Sequence, residues 1–318
     1  MKIGVIGVGY VGLSTAICLA SMKHKISVFD INEEKIKRIR EKKLPFFEKG
    51  LQEILENVIS SRNLIPVKNL NELVDNTEGC FICVGTPTKS NSIDLTQIIN
   101  AVESLADSIK CNDKNDYKII IRSTIIPNTA RNTILPILSD KLSELKFGLC
   151  VAPEFLREGN ALDDFMNPDK IVIGSSDKNS IIFVKKIFQN FKDKCEFIET
   201  SLESAELIKY TNNAFFSMLI SFSNEIANIS EKIPGVDSHE ILKALISDKR
   251  ITSIVNNEKI VPSLESYLIP GCGFGGSCFP KDVQAILDYA NKNKIKTPLL
   301  KAILEINAER PNKMVILS

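Results

Sequence analysis

The sequence predicts an α/β protein in which a doubly wound parallel sheet is followed by an all-α domain. Two observations carry that prediction. Through roughly the first two hundred residues, short apolar runs alternate with amphipathic stretches of helical period, the mark of successive βα units and a parallel sheet. Beyond about residue 200 the strand signals vanish and the apolar spacing becomes that of helices. The 318 residues are enough for two such domains, placed at 1–199 and 200–318.

Residues 2–6 and 25–30 read as strands with a helix at 11–22 between them, a βαβ unit of about 30 residues. Further strands are expected at 80–84, 117–123, 147–152, 170–174 and 195–197. Helical stretches at 32–42, 49–60, 94–109, 128–142 and 178–191 separate them. In the second domain a long helix is expected over 201–232 and a shorter one over 238–246. A Gly- and Pro-rich knot at 270–280 then precedes helices at 281–293 and 297–308.

Lys+Arg 40 against Asp+Glu 39 leaves a net charge of +1, so no field draws the chain to nucleic acid or to an anionic membrane. The opening residues lack the pattern of a secretory leader, and no apolar run reaches the roughly 18 residues of a membrane span. A cytoplasmic protein is expected. Cys80-Phe81-Ile82-Cys83 has redox spacing but lies in an apolar run that reads as a buried strand. With only two histidines and no second ligand pair, no metal site is expected.

Gly7-Val8-Gly9-Tyr10-Val11-Gly12 follows the first strand and opens a helix, and Asp30 ends the next strand 18 positions beyond Gly12. In that context the triplet is a dinucleotide-binding fingerprint, which makes the first domain Rossmann-like. Gly7 permits the turn, Gly9 lets a pyrophosphate approach the backbone beside Tyr10 and Val11, and Gly12 lets the helix pack on the strand. The helix N-terminus then faces the phosphates. Asp30 would accept hydrogen bonds from the adenosine ribose and repel a 2′-phosphate, which favours NAD; a solvated turn residue is the competing reading.

Gly85-Thr86-Pro87 and Ser123-Thr124 stand at strand ends, where dinucleotides cross an open sheet or where turns merely occur. In 153–159, Glu154 and Glu158 flank Phe155 and Leu156, a base with its support or a charged loop. Glu206, Lys209, Asn213 and Asn224 fall on one stripe of the long helix, whose other faces carry Tyr210, Phe215, Phe216, Met218 and Phe222. Such a helix is expected to be buried on most sides, and a buried lysine needs a partner. Cys278 follows Gly275-Gly276-Ser277 and precedes Lys281 and Asp282, and a nearby lysine favours the nucleophilic thiolate.

With these motifs in this chain order, including Glu206-x-x-Lys209-x-x-x-Asn213 and the 273–282 run, the sequence resembles the nucleotide-sugar 6-dehydrogenases, the UDP-glucose/GDP-mannose 6-dehydrogenase family. The resemblance implies NAD-dependent, four-electron oxidation of a sugar C6 alcohol to a carboxylate, UDP-glucose to UDP-glucuronate being favoured, through a cysteine thiohemiacetal and thioester. By resemblance Cys278 is the nucleophile, Lys209 and Asn213 stabilise the oxyanion, Glu154 is the hydrolytic base, and Thr124 and Asp282 position water. Glu158 supports the site and Lys35 lies near the cofactor, with Gly85, Thr86 and Thr124. Phe155, Leu156 and the backbone of Gly273, Phe274 and Gly275 would line the sugar pocket. A homodimer through the helical domain is also implied.

Three features qualify the resemblance. Arg250 stands 28 residues before Cys278, an interval enlarged by 254–266, which loosens both its role and the sugar assignment. The 267–271 approach is similar to that of GDP-mannose enzymes. The family normally continues into a further nucleotide-binding domain, which this sequence is expected to lack. The competing functions are therefore a GDP-mannose 6-dehydrogenase, a two-electron hydroxyacid dehydrogenase, and an NAD-binding module without catalysis.

Overall fold

The computed structural model describes residues 1–89, 92–255 and 258–317. In chain order its strands are β1 (Lys2–Ile6), β2 (Lys25–Phe29), β3 (Leu64–Pro66), β4 (Gly79–Ile82), the short β5 (Thr88–Lys89) and β6 (Ser92–Ile93), β7 (Tyr117–Ile121), β8 (Phe147–Val151), β9 (Lys170–Gly174), β10 (Glu196–Thr200), β11 (Ser253–Val255) and β12 (Glu258–Ile260). Eight of them form one sheet in the order β10-β9-β8-β7-β4-β1-β2-β3.

From β3 to β8 the strands are parallel, and the chain reverses its direction of travel across the sheet between β1 and β4. Strand β9 meets β8 antiparallel at Val151 and Gly174, and β10 runs parallel to β9. The last two strands therefore depart from the wholly parallel sheet expected. Strand direction is set by the connections, which local apolar composition does not encode.

Alternation along the strands sends Ile3 and Val5 to one face and Ile6 to the other. The first face packs on Leu13 and Ile17 of α1 (Tyr10–Ser21), with α2 (Glu33–Arg40) and α3 (Leu51–Ser60) beyond it. The second packs on Leu73 of α4 (Leu70–Asp75) and Val102 of α5 (Thr96–Cys111). Both faces being covered, the central strands read as unbroken apolar runs.

Cα proximity divides the chain into two compact units, 1–87 with 93–209 and 88–92 with 210–318. The division falls inside the long helix, between Lys209 and Tyr210. Leu202 and Ala205, in its first turns, are buried in the apolar cluster of the sheet. After α6 (Leu135–Lys141), α7 (Ala161–Met166) and α8 (Lys178–Ile187), that long helix is α9 (Leu202–Ser230). It is followed by α10 (Ser238–Ile246), α11 (Phe279–Lys292) and α12 (Pro298–Leu317). The expected absence of strands beyond residue 200 is corrected by β11 and β12, which pair antiparallel. Residues 256 and 257, within the interval that separates Arg250 from Cys278, lie outside the described residues. Among the described residues no helix is long and apolar enough to cross a membrane.

Candidate active site

In the first unit, the motifs singled out in the sequence follow the carboxyl ends of parallel strands. Gly7 follows β1, Asp30 follows β2, Gly85 and Thr86 follow β4, Thr124 follows β7 and Glu154 follows β8. One edge of the sheet therefore collects them, at the reversal between β1 and β4 where open α/β sheets bind ligands.

The glycine turn fits a dinucleotide. Gly7 has φ +89°, and a Cβ on Gly12 would lie 1.9 Å from the Gly7 carbonyl oxygen, so both positions exclude larger residues. A Cβ on Gly9 would meet nothing within 4 Å, which leaves open space at the head of α1 for a phosphate. Tyr10 and Val11 form the first turn of α1 and are half-buried. Asp30 is no free turn residue: it accepts the Val8 N–H at 2.8 Å and the Asn32 N–H at 2.9 Å, with the Lys35 ammonium 3.7 Å away. Its carboxylate is thus fixed at the turn beside a cation. Thr86 Oγ1 donates to the Thr124 carbonyl at 2.8 Å and Ser123 Oγ to the Val84 carbonyl at 2.7 Å, joining the loops after β4 and β7.

Beyond β8, Glu154 and Lys209 form a buried ion pair with Oε1 and Nζ 3.0 Å apart, and Glu154 Oε2 accepts the Leu156 N–H at 2.6 Å. Burial pushes the Glu154 carboxyl up, but Lys209, the Leu156 N–H and Arg122 together outweigh it and hold the group below its ordinary range. Phe155 has the Lys170 ammonium 4.3 Å and the Lys209 ammonium 5.5 Å from its ring centroid. Leu156 is half-buried and Glu158 exposed. Arg122, unremarked in the sequence, is buried and donates to Thr15 Oγ1 at 3.0 Å and the Ala152 carbonyl at 3.3 Å. Its only sequence signal was a charge ending an apolar run.

All four residues of the α9 polar stripe are buried, so it is no solvated face. Glu206 accepts the N–H groups of Asn128 at 2.6 Å and Ala130 at 2.7 Å, closing the start of the π-helical turn Ala130–Ile134 that leads into α6. As expected, α9 is buried or half-buried on most sides, with one exposed stripe that includes Phe215 and Phe222, 47% and 40% exposed.

In the second unit, Asn213 Nδ2 donates to Asp282 Oδ2 at 2.6 Å, and Asp282 is 1% exposed. Cys278, half-buried, is the N-cap residue of α11. The Lys281 ammonium is paired with Asp282. The loop before Cys278 is pinned from two helices. Asn224 of α9 accepts the Gly271 N–H at 2.8 Å, and Arg310 of α12 donates to the Gly271 carbonyl at 2.8 Å. Asn307 of α12 accepts the Phe274 N–H at 2.7 Å and donates to its carbonyl at 3.0 Å. Gly273, at φ +95°, could carry no side chain, since a Cβ would lie 2.4 Å from Asn307 Oδ1. Gly275 has open space around it. The Phe274 ring joins Val283 and Ile303 in an apolar cluster, and Asn307 bonds both its N–H and its carbonyl. Arg250 is folded back on Asp248, with Nη2 and Oδ2 2.7 Å apart.

Residues 1–192 match the NAD binding domain of the UDP-glucose/GDP-mannose dehydrogenase family, and residues 203–309 match its central domain. The chain belongs to that family. It is a family of NAD-dependent oxidoreductases, and the open turn at Gly9 suits its cofactor. Among the relatives of this chain, UDP-glucose 6-dehydrogenase of Rickettsia bellii is 39% identical over 99% of the chain and 68% of its own length. GDP-mannose 6-dehydrogenase of Pseudomonas syringae is 35% identical over 98% of the chain and 68% of its own length. The solved UDP-glucose dehydrogenase of Pyrobaculum islandicum superposes with a TM-score of 0.91 at 32% identity, covering 99% of this chain and 70% of that one. The chain thus spans about two thirds of the length of these family members.

Proposed function

We propose that this chain carries the catalytic residues for NAD-dependent, four-electron oxidation of a nucleotide sugar at C6, UDP-glucose to UDP-glucuronate, in the cytoplasm, where the thiol that the chemistry needs stays reduced. The observation that carries the reading is Cys278 at the head of α11, on a loop whose shape Asn224, Asn307 and Arg310 hold. A two-electron dehydrogenase has no need of such a thiol.

NAD, when bound at the Gly7–Gly12 turn with Asp30, Lys35, Gly85 and Thr86, supplies the hydride acceptor, two equivalents per sugar. The Cys278 thiolate adds to the C6 aldehyde and keeps it from escaping as a thiohemiacetal. The Lys209 ammonium and the Asn213 amide donate to the oxyanion, each oriented by a carboxylate, Glu154 and Asp282. Once the thioester has formed, Glu154, held ionised by Lys209, accepts a proton from the attacking water. Thr124 and Asp282 position that water, and the thiolate leaves. Phe155, Leu156 and the backbone at Gly273 and Gly275 contact the sugar, and Glu158 supports the cofactor side.

UDP-glucose is preferred over GDP-mannose on the higher identity to UDP-glucose 6-dehydrogenase of Rickettsia bellii, 39%, than to GDP-mannose 6-dehydrogenase of Pseudomonas syringae, 35%. The test is the stoichiometry of NADH formed per sugar consumed, with thermal stabilisation by UDP- and GDP-sugars measured alongside. Two NADH per UDP-glucose, and loss of carboxylate formation in Cys278→Ser, are expected. One NADH per substrate with turnover unchanged in Cys278→Ser would establish the two-electron reading. NAD binding without sugar oxidation would establish the non-catalytic one.

A further inference from the structure

Glu48 lies between α2 and α3, outside every motif of the sequence, yet it is 3% exposed. Three uncharged donors converge on its carboxylate. Oε2 accepts from the Tyr10 hydroxyl and, at 3.1 Å, from the Gly159 N–H; Oε1 accepts the Ala161 N–H at 3.1 Å. The Gly159 N–H also reaches the Tyr10 oxygen at 3.0 Å, and that hydroxyl lies 3.3 Å from the Arg157 carbonyl. The Tyr10 ring rests on Phe46, with centroids 4.9 Å apart.

One carboxylate thereby ties two segments far apart in sequence. Tyr10 is the first residue of α1, inside the glycine turn; Gly159 and Ala161 end the loop that begins at Glu154 and carries Glu158. Glu158 and Gly159 are exposed, while Ala161 is buried and Asp164 takes the Arg157 N–H at 2.8 Å; what joins this end of the loop to the glycine turn is Glu48 with Tyr10. An aspartate would not span the same distance, and a glutamine would set an amide N–H₂ against N–H donors.

We infer that Glu48 is a positioning residue for the cofactor: with Tyr10 it holds the 157–161 loop at a set distance from the glycine turn, so that NAD meets an edge already in its binding geometry. The inference rests on the reading of the Gly7–Gly12 turn as the NAD site.

The test is calorimetric titration of the full chain with NAD for the unchanged protein, Glu48→Gln, Tyr10→Phe and the double variant, with the melting temperature of each. Glu48→Gln should raise the NAD Kd about tenfold, the scale of one lost hydrogen bond to a charged group. Tyr10→Phe should raise it less, and the double variant should be no worse than Glu48→Gln, because the two act as one unit. A Kd within about twofold of the unchanged protein in a folded Glu48→Gln, or effects of the two substitutions that simply add, would overturn the inference. Should Glu48→Gln not fold, Tyr10→Phe, which keeps the ring on Phe46, decides alone: an unchanged Kd overturns the inference. Failure of the unchanged protein to bind NAD would instead overturn the reading of the glycine turn.

Discussion

Glu154 and Lys209 are 55 positions apart in sequence and meet side chain to side chain at 3.0 Å, each about 5% exposed. Removing one partner leaves the other charge buried and unpaired, so Lys209→Met alone should cost about 3–5 kcal/mol in urea denaturation. Glu154→Leu with Lys209→Met should cost less than the two single losses summed, because neither charge is then stranded. Strictly additive losses would mean that the pair is not coupled.

The glycine turn separates fold from ligand. Gly9→Ala should leave the melting temperature unchanged, because its Cβ enters open space, while NAD affinity falls by at least tenfold, the scale of a blocked phosphate approach. Gly12→Ala should do the reverse first, lowering stability by about 2 kcal/mol or more through the clash with the Gly7 carbonyl. Equal melting temperatures for both variants would contradict the geometry.

Phe215, Phe222 and Ile229 recur every seven residues along α9 and are 47%, 40% and 55% exposed. At 100° per residue they stay within about 40° of one another, a narrow apolar stripe suited to a second copy of the chain. The unchanged chain is expected to sediment as a dimer and Phe222→Lys as a monomer. A dimer unmoved by it would place the interface elsewhere.

Burial pushes the Glu206 carboxyl up to about 7 from an ordinary value near 4.5, against the two N–H groups that it accepts. The native state therefore binds this proton more tightly than the unfolded chain. The contribution to stability is full below pH 4.5 and is lost as pH rises through about 7. Glu206→Gln, which has no such proton, should gain on the unchanged protein between pH 5 and pH 7.5 in parallel urea titrations. A stability difference independent of pH would refute the shift.

The first βαβ unit was legible because β1 and β2 are covered on both faces, so apolar composition alone marked them. Strand β3 was not: it has three residues and ends in Pro66, an edge strand too short for any periodicity. Helices α4 and α7, at six residues each, fell below one clear helical repeat. The glycine turn, Glu154, Asn213, Cys278 and Asp282 were legible because chemistry and spacing coincide there. Glu48, Arg122, Asn307 and Arg310 were not, since each counts a backbone group far off in sequence among its partners, and a backbone group leaves no trace in residue type. The stripe on α9 was found, but spacing cannot say whether a polar stripe faces inward.

The loop ahead of Cys278 takes its shape from Asn307 and Arg310, about thirty positions downstream, across the exposed turn that carries Lys294 and Lys296. That turn is a natural target for a lysine-directed protease. A single cut there would leave every motif residue intact while severing the thiol's segment from the side chains that shape it. Loss of function by cleavage at this turn would thus require no damage to the chemistry itself.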